Sequence, residues 1–181
     1  MGLRDLLYTA YINLGAQQVQ AGQVNEAVYA FEQALAERPD DPEASRQLDR
    51  ASLYVSAQAT WGAEWASTID FLEQLYTLDP DYLDTQDKLF QAYEAYGDAL
   101  NDEEAWCLAE VQYQQAALMT PSRAIQAKSR EAGRLCRMPT ATPRPTEPPT
   151  SPPTSPPTSA PTPPGAQTIT SDDGLLTIEI P

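Results

Sequence analysis

Along the first 137 residues apolar side chains recur at intervals of three and four, as in Val28, Phe31 and Leu35 or Ile69, Leu72, Leu75 and Tyr76. This is the period of a helix that buries one face. Two kinds of breaker punctuate it. Gly22, Gly62 and the Asn101-Asp102 pair interrupt the pattern midway, and Pro39, Pro80 and Pro121 close it. The prolines are 41 residues apart both times. A shift by that period aligns Gly15 with Ser56 and Gly97, Ala27 with Thr68 and Ala109, Phe31 with Leu72 and Tyr113, and Ala34 with Leu75 and Ala116. Small positions stay small and large ones stay large. A small residue on one helix lets a second approach closely, and large apolar residues fill the space on either side. The pattern therefore predicts three antiparallel helix pairs, with long helices starting near Pro42 and Leu83. After Pro121 the segment SRAIQAKSREAGRLC predicts a seventh helix that covers the third pair.

Beyond residue 137 the pattern changes character twice. Residues 139–164 hold 12 Pro, 7 Thr and 3 Ser, with PPTS recurring. Such a composition cannot bury apolar surface and favours polyproline II, so residues 138–167 are expected to be a disordered spacer, of which 139–164 alone would reach roughly 80 Å when extended. The last segment switches to period two, with Ile169, Leu176, Ile178 and Ile180 alternating around Asp172-Asp173-Gly174. Residues 168–181 are thus expected to form a β-hairpin, the start of a truncated β-rich domain. The resulting division is 1–137, 138–167 and 168–181.

Three segments, AYINLGAQQVQAGQVNEAVYAFEQALAERPDD, WASTIDFLEQLYTLDPDY and QAYEAYGDALNDEEAWCLAEVQYQQAALMTP, resemble tetratricopeptide (TPR) repeats over residues 8 to 123. The first copy carries Tyr11, Leu14, Gly15, Ala27, Phe31, Ala34 and Pro39. The third carries Tyr93, Tyr96, Gly97, Ala109, Tyr113, Ala116 and Pro121, while the middle copy is weaker, with Ser52, Val55 and Ser56 in its first helix. The family's usual period is 34 residues, so the copies here are longer. The resemblance implies an all-α, right-handed solenoid of three helix pairs plus a capping helix, similar to the TPR region of bacterial cell-surface proteins with a Pro/Thr-rich stalk. It also implies a concave groove lined by the first helix of each pair. Its side chains would be Thr9, Ile12, Ala16 and Val19, then Arg50, Leu53, Ala57 and Thr60, then Gln91, Glu94, Asp98 and Asn101. The two-carboxylate clamp known in such grooves needs Lys, Asn and Arg. Ile12, Ala16, Ala57, Gln91 and Ala95 stand in their place, which argues against a chaperone-tail ligand.

Charge narrows the partner classes. The chain carries a net charge of −15 and contains no histidine. A phosphate backbone would be repelled, which disfavours nucleic acid. Residues 1–121 hold 21 acids and 5 bases, whereas the last helix pairs Arg123, Lys128, Arg130, Arg134 and Arg137 with Glu131 alone. A basic cap on an acidic series of helices is the expected use of that asymmetry. The acids Glu94, Asp98, Asp102, Glu103 and Glu104 would suit a basic or amphipathic partner segment. Their alternative role is to solvate a helix end and oppose the next helix dipole.

Cys107 and Cys136 lie at similar distances on either side of Pro121, so an antiparallel hairpin would bring them level and allow a disulfide. Two reduced thiols in a cytosolic protein are the alternative. With no histidine and only two cysteines, neither a structural zinc site nor a nucleophile with an adjacent base is expected. Asp79, Asp81, Asp84 and Asp87 lack the glycine and terminal glutamate of a calcium loop and are read as helix caps. Trp61, Trp65 and Trp106 sit beside turns and are read as packing. Neither a cofactor, nor a metal, nor an enzymatic activity is expected. No run is long and apolar enough to span a bilayer, Arg4 and Asp5 interrupt any leader-like start, and Leu6 occupies the place where a myristoylation motif needs Ser or Thr.

The functional expectation is a non-enzymatic protein-interaction module binding a peptide or partner helix in an extracytoplasmic or cell-surface setting. A structural spacer or assembly element without a dedicated ligand, or a cytosolic scaffold, are the alternatives. The oligomeric state is left open.

Overall fold

A computed structural model describes residues 2–138 together with the strand segments 168–170 and 177–179. The chain divides into two compact units, Met1–Thr140 and Ala141–Pro181. The first is all-helical: α1 (Leu3–Gln20), α2 (Val24–Glu37), α3 (Pro42–Thr60), α4 (Trp65–Leu78), α5 (Thr85–Asp102), α6 (Trp106–Met119) and α7 (Arg123–Cys136). Each helix packs on the next in sequence. The first helix of each pair spans 18 or 19 residues and the second 14.

The ends of these helices follow from local chemistry. Pro42 opens α3, where its missing N–H costs nothing, and Asp41 accepts from the backbone N–H of Glu43 and Ala44. Ser122 caps α7 by accepting from Ile125 N–H. Gly22 and Gly62, at φ of +75° and +79°, turn the chain out of α1 and α3. The third break falls elsewhere than expected. Asn101 and Asp102 remain inside α5, and the left-handed residue is Glu104, at φ +59°. Leu83, at φ +51°, likewise lies in the turn before α5, which begins only at Thr85.

The core is built on the exchange of volume between paired helices. A Cβ on Gly15 would lie 2.5 Å from a ring carbon of Phe31, and one on Gly97 would lie 2.6 Å from the ring of Tyr113. In both pairs the aromatic ring fills the space a side chain would take. At the aligned positions of the middle pair stand Ser56, half-buried, and Leu72, fully buried, a larger residue in place of glycine and a smaller one in place of the ring. Phe31 and Leu72 are fully buried; the buried alanines Ala27 and Ala34 flank Phe31 along α2, and Ala109 and Ala116 flank Tyr113 along α6. Trp61 and Trp65 meet edge to face at 5.4 Å and pack against the core of the second and third pairs.

In the second unit, β1 (Thr168–Thr170) and β2 (Thr177–Glu179) pair antiparallel, with Ile169 opposite Ile178. The spacer and the Asp172-Asp173-Gly174 turn lie outside the described residues.

Candidate functional site

The junctions between successive helix pairs carry a recurring polar arrangement. A tyrosine donates its hydroxyl to an aspartate of a neighbouring helix or turn, and a cation lies over the tyrosine ring. At the first junction Tyr8 donates to Asp41 at 2.7 Å and the Arg38 guanidinium sits 4.1 Å from the Tyr8 ring centre. Arg38 also donates to Asp5 at 2.7 Å. At the second, Tyr54 donates to Asp84 at 2.7 Å, with Lys88 5.9 Å from its ring. Where the third pair meets α7 the set differs, because tyrosine and aspartate belong to one pair: Tyr113 on α6 donates to Asp98 on α5 at 2.7 Å, and only the cation, Lys128 on α7 at 5.7 Å from the ring, comes from the next helix. Cation–ring attraction and charge-assisted hydrogen bonds act together at each junction.

The protonation energetics follow from those partners. Asp41 is held below the ordinary carboxylate value, first by the Ala44 N–H and then by the Tyr8 hydroxyl. Arg38 and the Gly2 N–H do the same for Asp5. Burial, reinforced by the aspartate partner, raises the Tyr54 and Tyr113 hydroxyls. Tyr82, stacked edge to face on Tyr54 at 6.0 Å, is pushed up to about 12, chiefly by burial. These phenols stay protonated throughout the physiological range, Tyr54 and Tyr113 as donors to their aspartates, while the buried Tyr82 hydroxyl has no hydrogen-bond partner among the described residues.

The acidic end of the proposed groove is the most elaborate of these sites. Lys128 on α7 donates to Glu94 Oε1 and to both carboxylate oxygens of Asp98, each at 2.8 Å. Burial pulls the ammonium down, but the bonds to Asp98 and Glu94 together outweigh it and raise its pKa. Three helices thus converge on one node: Glu94 and Asp98 from α5, Tyr113 from α6 and Lys128 from α7. Of the acidic stretch, Glu94 and Asp98 hold an ammonium presented by a helix, while Asp102, Glu103 and Glu104 take no part in that node.

The other groove positions divide. Ile12, Val19 and Leu53 are half-buried against the core cluster around Phe31 and Tyr54. Leu53 also opens onto a cleft of about 330 Å³ with Asp49, Ser52, Gln74 and Leu78. Arg50 is turned to Asp79 at 3.4 Å. Ala57 is buried, and Thr60 is engaged by the Thr68 hydroxyl at 2.8 Å, so neither faces a ligand. Ala16 and Gln91 are exposed and Asn101 is half-buried. Asp84 acts differently from the capping role read from sequence: it occupies the cap position before α5, yet its carboxylate makes no cap bond, accepting instead from Tyr54 and pairing with Lys88 at 3.5 Å.

Cys107 on α6 and Cys136 at the end of α7 are joined by a disulfide, with Cα atoms 4.8 Å apart. Beside it Arg137 pairs with Glu110 at 3.4 Å. Among the described residues no group of three His, Cys, Asp or Glu side chains is placed to hold a metal ion, and no helix is long and apolar enough to cross a membrane.

The tyrosine–aspartate junctions were not legible as a repeat, because Tyr8 and Asp41 are 33 residues apart but Tyr54 and Asp84 only 30. The useful signal was narrower: a lone lysine in the last helix, facing an acidic stretch of α5. Compared with known proteins, the chain matches no family model and no curated protein.

Proposed function

We propose that residues 1–137 form a TPR-like, non-enzymatic interaction module whose first-helix face, on α1, α3 and α5, receives a peptide or partner helix. The observation that carries this reading is the Glu94–Asp98 pair gripping Lys128, since it realises within the chain the chemistry a basic helical ligand would use. The 41-residue alignment and the close Gly15–Phe31 and Gly97–Tyr113 contacts support the TPR likeness and, with it, a solenoid of helix pairs. The Cys107–Cys136 disulfide and the Pro/Thr-rich spacer support an oxidising, extracytoplasmic setting.

A library of helical peptides, panned against the wild-type chain and against Glu94→Arg/Asp98→Arg, tests the binding role. Lysine- or arginine-bearing peptides should be enriched on the wild type and lost on the double variant. Lys128→Ala, which frees both carboxylates, should raise their recovery. Equal recovery on all three chains would rule out a ligand site here. The second reading, an assembly element, is favoured by a separate feature: the leucines exposed on α1.

A further inference from the structure

Leu3, Leu6, Ala10, Leu14 and Gln17 are all exposed on α1, with Leu3 at 74%, Leu6 at 53% and Leu14 at 43%. At 100° per residue these five positions fall within an arc of about 80°, a single stripe turned away from Gly15 and α2. Two properties of the stripe point to what covers it.

The first is its symmetry. Around Ala10 the positions lie at −7, −4, 0, +4 and +7. A two-fold interface requires a surface complementary to itself. In an antiparallel pair of α1 helices centred on Ala10, Leu6 of one copy faces Leu14 of the other at both ends, and the small Ala10 side chains meet where the axes are nearest. Leu3 then faces Gln17. Antiparallel helix dipoles also attract.

The second property is charge. The chain carries −15, yet the 20 residues from Leu6 to Asn25 contain no charged side chain. Two copies of an acidic molecule repel over most of their surfaces. Through this stripe they approach without bringing acids together, and a strongly basic foreign partner would find no carboxylate on it to pair with.

We infer that the α1 stripe is a homodimerisation surface, in which a second copy of this chain docks antiparallel across a two-fold axis at Ala10. The contact is that of a single helix pair about 27 Å long. It is smaller than a standard stable interface, so association in the micromolar range is expected.

Sedimentation equilibrium on the full chain, from micromolar to a few hundred micromolar, should show a reversible monomer–dimer equilibrium. Leu6→Glu and Leu14→Glu, both at exposed positions, should each weaken it at least tenfold with unchanged helical circular dichroism. Leu6→Lys/Leu14→Glu should recover much of the dimer, because antiparallel pairing sets each lysine against the partner's glutamate. Ala10→Cys should form inter-chain disulfides on mild oxidation with diamide, and the exposed control Ala124→Cys should not. A wild-type chain that stays monomeric throughout would overturn the proposal and leave the stripe to another helix or a foreign protein. Dimers that persist in both glutamate variants, or that the lysine–glutamate pair fails to restore, would overturn it as well. Peptide capture by Glu94 and Asp98 is a separate readout, so this surface can fail while the binding role stands.

Discussion

The first and last helices of the helical unit face opposite demands and are built accordingly. α7 buries Ile125, Ala132 and Gly133 on one side and exposes Arg123, Arg130, Glu131 and Arg134 on the other. α1 packs Gly15 against Phe31 on one side yet exposes Leu3, Leu6 and Leu14 on the other. A helix with one apolar stripe can finish a series of packed helices; a helix with two leaves a surface to be covered. α7 is also held by the Lys128 node and the Cys107–Cys136 disulfide, whereas α1 is tied to its neighbours mainly through packing, the Tyr8–Asp41 bond and Arg38–Asp5. The two ends therefore differ in what secures them as well as in what they expose.

Removing packing at the α1 end should have the largest effect. Phe31→Ala empties the space that Gly15 vacates and should cost about 3–5 kcal/mol in chemical denaturation. A smaller loss would mean that α1 and α2 collapse onto the cavity. Reduction of the disulfide, or Cys107→Ser/Cys136→Ser, should cost on the order of 3 kcal/mol. Hydrogen exchange should then accelerate in α7 while α1 keeps its protection; uniform acceleration would show that the staple acts on the whole unit rather than on its end. Gly15→Ala and Gly97→Ala should each cost about 1–3 kcal/mol by overpacking. Gly15→Ser/Phe31→Leu, which copies the middle pair, should restore most of it, and failure to do so would break the volume-exchange account. Glu104→Gly, at the left-handed turn after α5, should add about 1 kcal/mol by relieving the backbone.

The two ends should also respond differently to pH. Asp5 and Asp41 are depressed below their ordinary value of 3.8. Their contribution is full above that value and is lost as pH falls through the depressed folded values, so acid should loosen the α1–α2–α3 junction. Lys128 is raised above 10.5, so its contribution is full below that value and disappears as pH rises through the raised one. Alkaline titration should weaken α7 docking, and Lys128→Met should reduce that dependence to the part that Tyr113 contributes, at a cost of at most ~1 kcal/mol, since the site is partly exposed. Exchange measured segment by segment at both extremes checks this assignment.

The local and periodic part of the molecule is legible in its amino-acid order. Apolar spacing located seven helices, prolines and glycines placed most of their ends, and the 41-residue period aligned Gly15 with Ser56 and Gly97, and Phe31 with Leu72 and Tyr113. These signals survive because each depends on residues a few turns apart or on a volume that both helices of a pair must respect. The polar partners, by contrast, are set by how the helices pack. Which aspartate meets Tyr54, why Asp84 does not cap its own helix, and that Lys128 fills the acidic end of α5 all depend on contacts bridging about 30 residues. The connecting turns differ in length, running 38–41, 79–84 and 120–122, so equivalent side chains are carried to different partners at each junction. The same dependence applies to the α1 leucines, whose exposure shows only once the fold places α2 on the opposite side.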